Sequence, residues 1–147
     1  MDKVKLLKAY SETEYIIPEL DITIRIGEKN KLLDIIQHKY FSNNWAFISA
    51  ENPRSNLLSD EENSLRSDLL ENAIKQSGRP YFIGYGKGKG DWKPEKSFLV
   101  LRTSKMEAID IFGIPFEQNA IVIGQIGKEA KLCIIDEIFS DSFNIVK

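Results

Sequence analysis

The chain has 147 residues, 42% hydrophobic and 29% charged, with 20 basic against 22 acidic side chains and a formal net charge of −2. That composition fits one soluble domain with a sizeable core and lacks the basic field of a dedicated nucleic-acid binder. Cys133 is the single cysteine, which excludes an intrachain disulfide and a cysteine metal cluster. No apolar run approaches the ~20 residues that span a bilayer.

The amino terminus MDKVKLLKAYSETEY lacks the apolar stretch of a signal peptide, so a cytoplasmic setting is expected. LLKAYSE predicts a short helix or a turn, followed by strands at YIIP (15–18) and LDITIRIG (20–27). In the second strand Ile22, Ile24 and Ile26 alternate with Asp21, Thr23 and Arg25. Asn30 is placed to cap a helix in which Leu32, Leu33, Ile36 and Tyr40 form one stripe. WAFISA (45–50) reads as a buried strand that stops at Asn52, because a residue before proline is biased away from helix.

Ser59 and Glu62 then form a capping box for a helix with Leu65, Leu69, Leu70, Ala73 and Ile74 on its core face and Gly78 at its end. PYFIGYG and SFLVLR are strands on either side of a glycine-rich segment. Ser104 and Glu107 repeat the capping box for a short helix with Met106, Ile109 and Phe112 inward. AIVIGQI and KLCIID form a last hairpin around Gly127-Lys128-Glu129, and the tail IFSDSFNIV adds a candidate edge strand. The order predicts one α+β domain over residues 1–147, with a mixed, largely antiparallel sheet of six or seven strands and about three helices.

The stretch GYGKGKGDWKPEKSF (84–98) carries glycine at every second position from Gly84 to Gly90. It leads into a strand, whereas a dinucleotide fingerprint leads into a helix, and it has no Gly-Lys-Ser/Thr. Two readings stay open. One is a solvated hairpin loop of about ten residues. The other is an anion-binding nest of backbone N–H groups reinforced by Lys87 and Lys89, with Trp92 as a stacking face. His38 is the sole histidine and reads as an ordinary helix residue, and Cys133 reads as core. The sequence names no metal, no cofactor and no reaction.

Three stretches together carry a resemblance: WAFISAENPRSNLLSDEEN (45–63), GYGKGKGDWKPEKSFLVL (84–101) and FEQNAIV (116–122). They resemble the motifs Ala-x-Asn-Pro-x-Ser, Gly-x-Trp-x-Pro-Glu and Gln-Asn-Ala of a small bacterial family catalogued as a domain of unknown function. The resemblance implies a fold and a site location but no activity. The family commonly has acidic and arginine residues in the glycine loop, where this chain has Tyr85, Lys87 and Lys89. It also has glycine where this chain has Glu117.

The polar residues of these motifs sit where strands stop, and ligands gather in loops held at strand ends. A shared pocket is therefore expected from Asn52, Arg54, Ser55, Lys87, Lys89, Trp92, Glu95, Gln118 and Asn119. In it Arg54 would anchor a phosphate or carboxylate through its fork. Asn52, Gln118 and Asn119 would read a base or amide edge, and Glu95 is the motif carboxylate available as a general base. The resulting expectation is a binder of an anionic small molecule, such as a nucleotide or a phosphorylated or carboxylated metabolite. The alternative is a protein-interaction module, and nucleic acid and membrane are not expected as partners.

Overall fold

The computed structural model describes residues 3–91 and 93–135. Helix α1 (Lys3–Ser11) leads to strands β1 (Glu14–Ile17) and β2 (Ile22–Ile24), helix α2 (Lys31–Lys39) and strand β3 (Asn44–Ser49). Helix α3 (Asp60–Ser77), strands β4 (Tyr81–Lys87) and β5 (Glu95–Leu101), and helix α4 (Lys105–Glu107) follow. Helix α4 widens into a π-helical stretch, Ala108–Gly113, before strands β6 (Ala120–Gln125) and β7 (Lys131–Ile134). This is an α+β fold on one seven-stranded sheet of order β2-β1-β4-β5-β3-β6-β7, with every strand pair antiparallel.

The sheet curls until its edges meet. Just past β2, the Gly27 N–H donates to the Ala130 carbonyl (2.8 Å), and the Ala130 N–H donates to Glu28 (3.1 Å). Strand alternation sorts the side chains to two cores. Tyr15, Ile17, Trp45, Phe47, Leu99, Leu101 and Val122 point inside the curl, where Leu33 of α2 joins them. Ala46, Ile48, Phe98 and Val100 point outward under Leu70 and Ile74 of α3 and Ile109 and Phe112 of the π-helical stretch. Strands β3 and β5 are thus covered on both faces, which is why WAFISA and SFLVL read as unbroken apolar runs.

The local signals act as their chemistry dictates. Asn30 accepts from the Leu33 N–H (3.0 Å), both serine–glutamate capping boxes form, and Gly78 closes α3 with φ 75°. The apolar stripes need correction. Leu65 and Leu69 are 61% and 53% exposed, while α3 buries Asn63, Ser67, Leu70 and Ile74. Leu32 and Met106 are exposed as well. The second strand is shorter than LDITIRIG suggests, because Pro18–Leu20 forms a 3₁₀ turn and Asp21 adopts a left-handed conformation. Gly84 and Gly86 belong to β4 itself, so the connecting loop runs only over residues 88–94. The tail IFSDSFNIV lies outside the described residues.

Candidate functional site

Strands β1, β5 and β6 begin, and β3 and β4 end, at one rim of the curled sheet, so loops distant in sequence meet there. Register sets the floor. Tyr15, Gly86 and Glu95 stand opposite one another across β1, β4 and β5. Gly84, Ser97 and Ser49 form the next row across β4, β5 and β3. Opposite residues share a face, and this face looks inside the curl. Leu6, Ala9 and Tyr10 of α1 and Thr13 just after it cover this face, bounding a cavity of about 290 Å³.

The loop after β3 builds one wall. Asn52, Arg54 and Ser55 all have positive φ (48°, 52° and 64°), a conformation that costs non-glycine residues on the order of 1–3 kcal/mol each. Hydrogen bonds hold it. The Asn52 and Asn63 side chains are paired: Asn63 Nδ2 donates to Asn52 Oδ1 (2.9 Å), and the Asn52 N–H donates to Asn63 Oδ1 (2.9 Å). Asn52 Oδ1 also accepts from the Leu58 N–H (3.0 Å), and its Nδ2 donates to Glu95 Oε1 (3.1 Å). The Arg54 N–H donates to the Glu117 carbonyl (2.8 Å), and Asn119 Nδ2 donates to Ser55 Oγ (2.7 Å). Arg66 of α3 braces both sides, with Nε donating to the Ala50 carbonyl and Nη2 to the Phe116 carbonyl (2.6 Å each).

Asn52, Ser55, Lys89, Glu95, Gln118 and Asn119 all line the cavity. Arg54 does not; its side chain is exposed. Lys87 is directed away, because alternation sends it to the face opposite Gly86. Trp92 lies outside the described residues. Lys93, at the mouth, donates to Asp60 Oδ2 (2.8 Å). His38 is exposed and Cys133 buried.

The sequence reading missed Tyr10, Tyr15 and Glu51 in the lining, and Asn63 and Arg66 behind it. Glu51 and Asn63 carried one signal, since both fall inside the first motif stretch. The two tyrosines lie outside the three motif stretches; the packing of α1 and the pairing of β1 with β4 bring them here.

Burial dominates the electrostatics. It raises the Glu95 carboxyl above the usual carboxylate range; the Asn52 hydrogen bond opposes this and the nearby Glu51 charge adds to it. Burial raises Glu51 too, against the pull of the Lys96 N–H that its carboxylate accepts. Tyr10 is pushed up to about 12 by burial and by the charge of Glu95. Two carboxyls with raised proton affinity in one cavity make candidates for proton exchange with a bound molecule.

The profile of the family described as "Protein of unknown function (DUF3293)" matches residues 48–121. The chain belongs to this family. The matched stretch runs from Ile48 in β3 to Ile121 in β6. It therefore contains every strand-end loop of the cavity but not α1 and β1, which contribute Tyr10 and Tyr15. No curated protein and no solved structure matches the chain significantly. Among the described residues no helix is long and apolar enough to cross a membrane, and no three metal-ligating side chains cluster.

Proposed function

We propose that the chain binds a small polar molecule in the cavity at the strand ends, with Glu95 as the group that exchanges a proton with it. The observation that carries this reading is convergence: Asn52, Ser55, Glu95, Gln118 and Asn119, drawn from two loops and the start of β5, line one hollow. Its size, about 290 Å³, lies at the lower end of ligand pockets (roughly 300–1,000 Å³), which favours a compact metabolite over a dinucleotide. The charge of the lining shifts the ligand away from the anion expected from sequence. Arg54 and Lys87 lie off the cavity and Lys93 is engaged by Asp60, which leaves Lys89 at the rim against Glu12, Glu51 and Glu95.

A thermal-shift screen of metabolites tests the reading. Gly86 lies in the floor, and a β-carbon added there would meet only ordinary contacts, the closest at 3.9 Å, so a leucine would grow into the hollow. Compounds that raise the melting temperature of the native chain should have no effect on Gly86→Leu. Shifts that persist in that variant, or no shift with any compound, would remove the proposal.

Glu95→Gln carries a second expectation, on stability against pH. A carboxyl whose folded pKa is raised binds more protons folded than unfolded, so its contribution is fully present below the unfolded pKa and is lost as pH rises through the folded value. Glutamine keeps the acceptor for Asn52 and carries no charge. Its melting temperature should therefore exceed that of the native chain at pH 7–8, with the gap closing towards pH 4. A constant gap across this range would contradict the assignment.

A further inference from the structure

The hydrogen-bonding groups that line the cavity divide unevenly, and this division, which rests on the cavity being the binding site, indicates a class of ligand. The donors are largely committed within the protein. Gln118 Nε2 donates to the Phe116 (3.1 Å) and Glu51 (3.4 Å) carbonyls, and Asn119 Nδ2 donates to Ser55. Ser49 and Ser97 donate to the Lys96 and Glu95 carbonyls (3.1 Å each), and the Tyr15 hydroxyl donates to the Tyr10 carbonyl (3.1 Å).

The acceptors are in surplus. Glu95 receives Asn52 on Oε1, and among the described residues no group donates to its Oε2. Glu51 receives the Lys96 N–H on Oε2, with none on Oε1. An ionised carboxylate offers about four lone-pair sites, so most of this capacity is unspent. A carboxylate oxygen that receives no donor from the protein can take a ligand's N–H groups in charge-assisted hydrogen bonds.

The floor beside these acceptors lacks a side chain. Across the row Tyr15–Gly86–Glu95 the middle position has no side chain, leaving a gap between an aromatic ring and a carboxyl, and Phe47 packs edge-on to Tyr15 at 5.2 Å between ring centroids. We infer that the cavity takes a planar ligand bearing two adjacent N–H donors, of amidine or guanidine type. Its donor edge is held by the carboxylates of Glu95 and Glu51, and its flat body fills the space over Gly86. Two parallel N–H groups match the two oxygens of a carboxylate, which a point-like ammonium does not.

Benzamidine and benzoate share one shape and have opposite hydrogen-bonding polarity, which makes them the probe pair. The full chain is titrated with each, following backbone amide resonances of Gly86, Glu95 and Ser97. Benzamidine should bind at least about tenfold more tightly than benzoate, a difference of about 1.4 kcal/mol. Glu95→Gln, with its fold checked by circular dichroism, should abolish that preference, while Glu61→Gln on the exposed side of α3 should keep it. Equal or tighter binding of benzoate would overturn the inference and leave the cavity reading standing. Benzamidine affinity unchanged in a Glu51→Gln, Glu95→Gln double variant, or no response of these resonances to benzamidine, would overturn it as well. The metabolite screen against Gly86→Leu decides the cavity reading separately.

Discussion

Gly84→Ala should lower the melting temperature by several degrees, whereas Gly86→Ala, two residues along the same face of β4, should leave it unchanged or slightly raised. A β-carbon at Gly84 would stand 2.7 Å from Phe47 Cε2 and 2.8 Å from the Ile16 carbonyl oxygen. The ring belongs to the packed inner core, and the carbonyl is backbone of the neighbouring strand, so neither yields cheaply. Overpacking of this kind costs about 1–3 kcal/mol, and each kcal/mol moves the melting temperature of a chain this long by about 2–4 °C. At Gly86 the nearest atoms, on Thr13 and Tyr15, are 3.9 Å away, which is ordinary contact. Alanine there restricts the unfolded chain and adds up to about 0.4–1 kcal/mol of stability. Parallel thermal melts of the two variants check the contrast, and equal destabilisation would refute it. The experiment also settles what the alternating glycines do. Gly84 makes room for the Phe47 ring and Gly86 keeps the hollow open, whereas Gly90, with φ 83°, serves the turn.

The same segment marks how far the sequence can be read. The hairpin around it, the rejection of both nucleotide motifs and the two capping boxes all follow from short-range chemistry. Each involves residues within a few positions of one another. The face that Gly84 and Gly86 share is a property of strand pairing, and register is not written in any one strand.

Helix α3 fails for a different reason. An apolar stripe through Leu65 and Leu69 is the natural core face on hydrophobicity alone. The helix turns instead so that Asn63 can pair with Asn52 and Arg66 can reach two carbonyls, and the two leucines are left exposed. Polar demands of the loop at the strand ends override the hydrophobic pattern there. Arg54 shows the converse: its position in the motif was legible, but the left-handed backbone that aims its side chain into solvent was not.

Arg66→Ala should be the most damaging single change behind the site. The Arg66 side chain is 22% exposed, and its guanidinium joins three segments: Ala50 at the end of β3, Phe116 before Gln118-Asn119, and α3 itself, with Glu117 Oε1 a further 3.7 Å contact. Hydrogen bonds from a charged donor contribute about 1.5–3 kcal/mol each, and a buried carbonyl left bare adds its own desolvation cost. The Phe116 carbonyl keeps Gln118 as a second donor, which softens the loss on that side, whereas Ala50 is fully buried. A net cost on the order of 3 kcal/mol corresponds to a fall of about 6–12 °C in melting temperature. Arg66→Lys should recover little of it, because a single ammonium cannot reach both carbonyls in the fixed geometry of the fork. The loss should also be uneven. Amide exchange should quicken at residues 50–56 and 116–119 well before it changes in β5, since the bonds removed brace the strained loop and its neighbour while the outer core stays packed. Uniform acceleration across the sheet would mean that Arg66 supports the fold as a whole and has no special hold on the cavity wall.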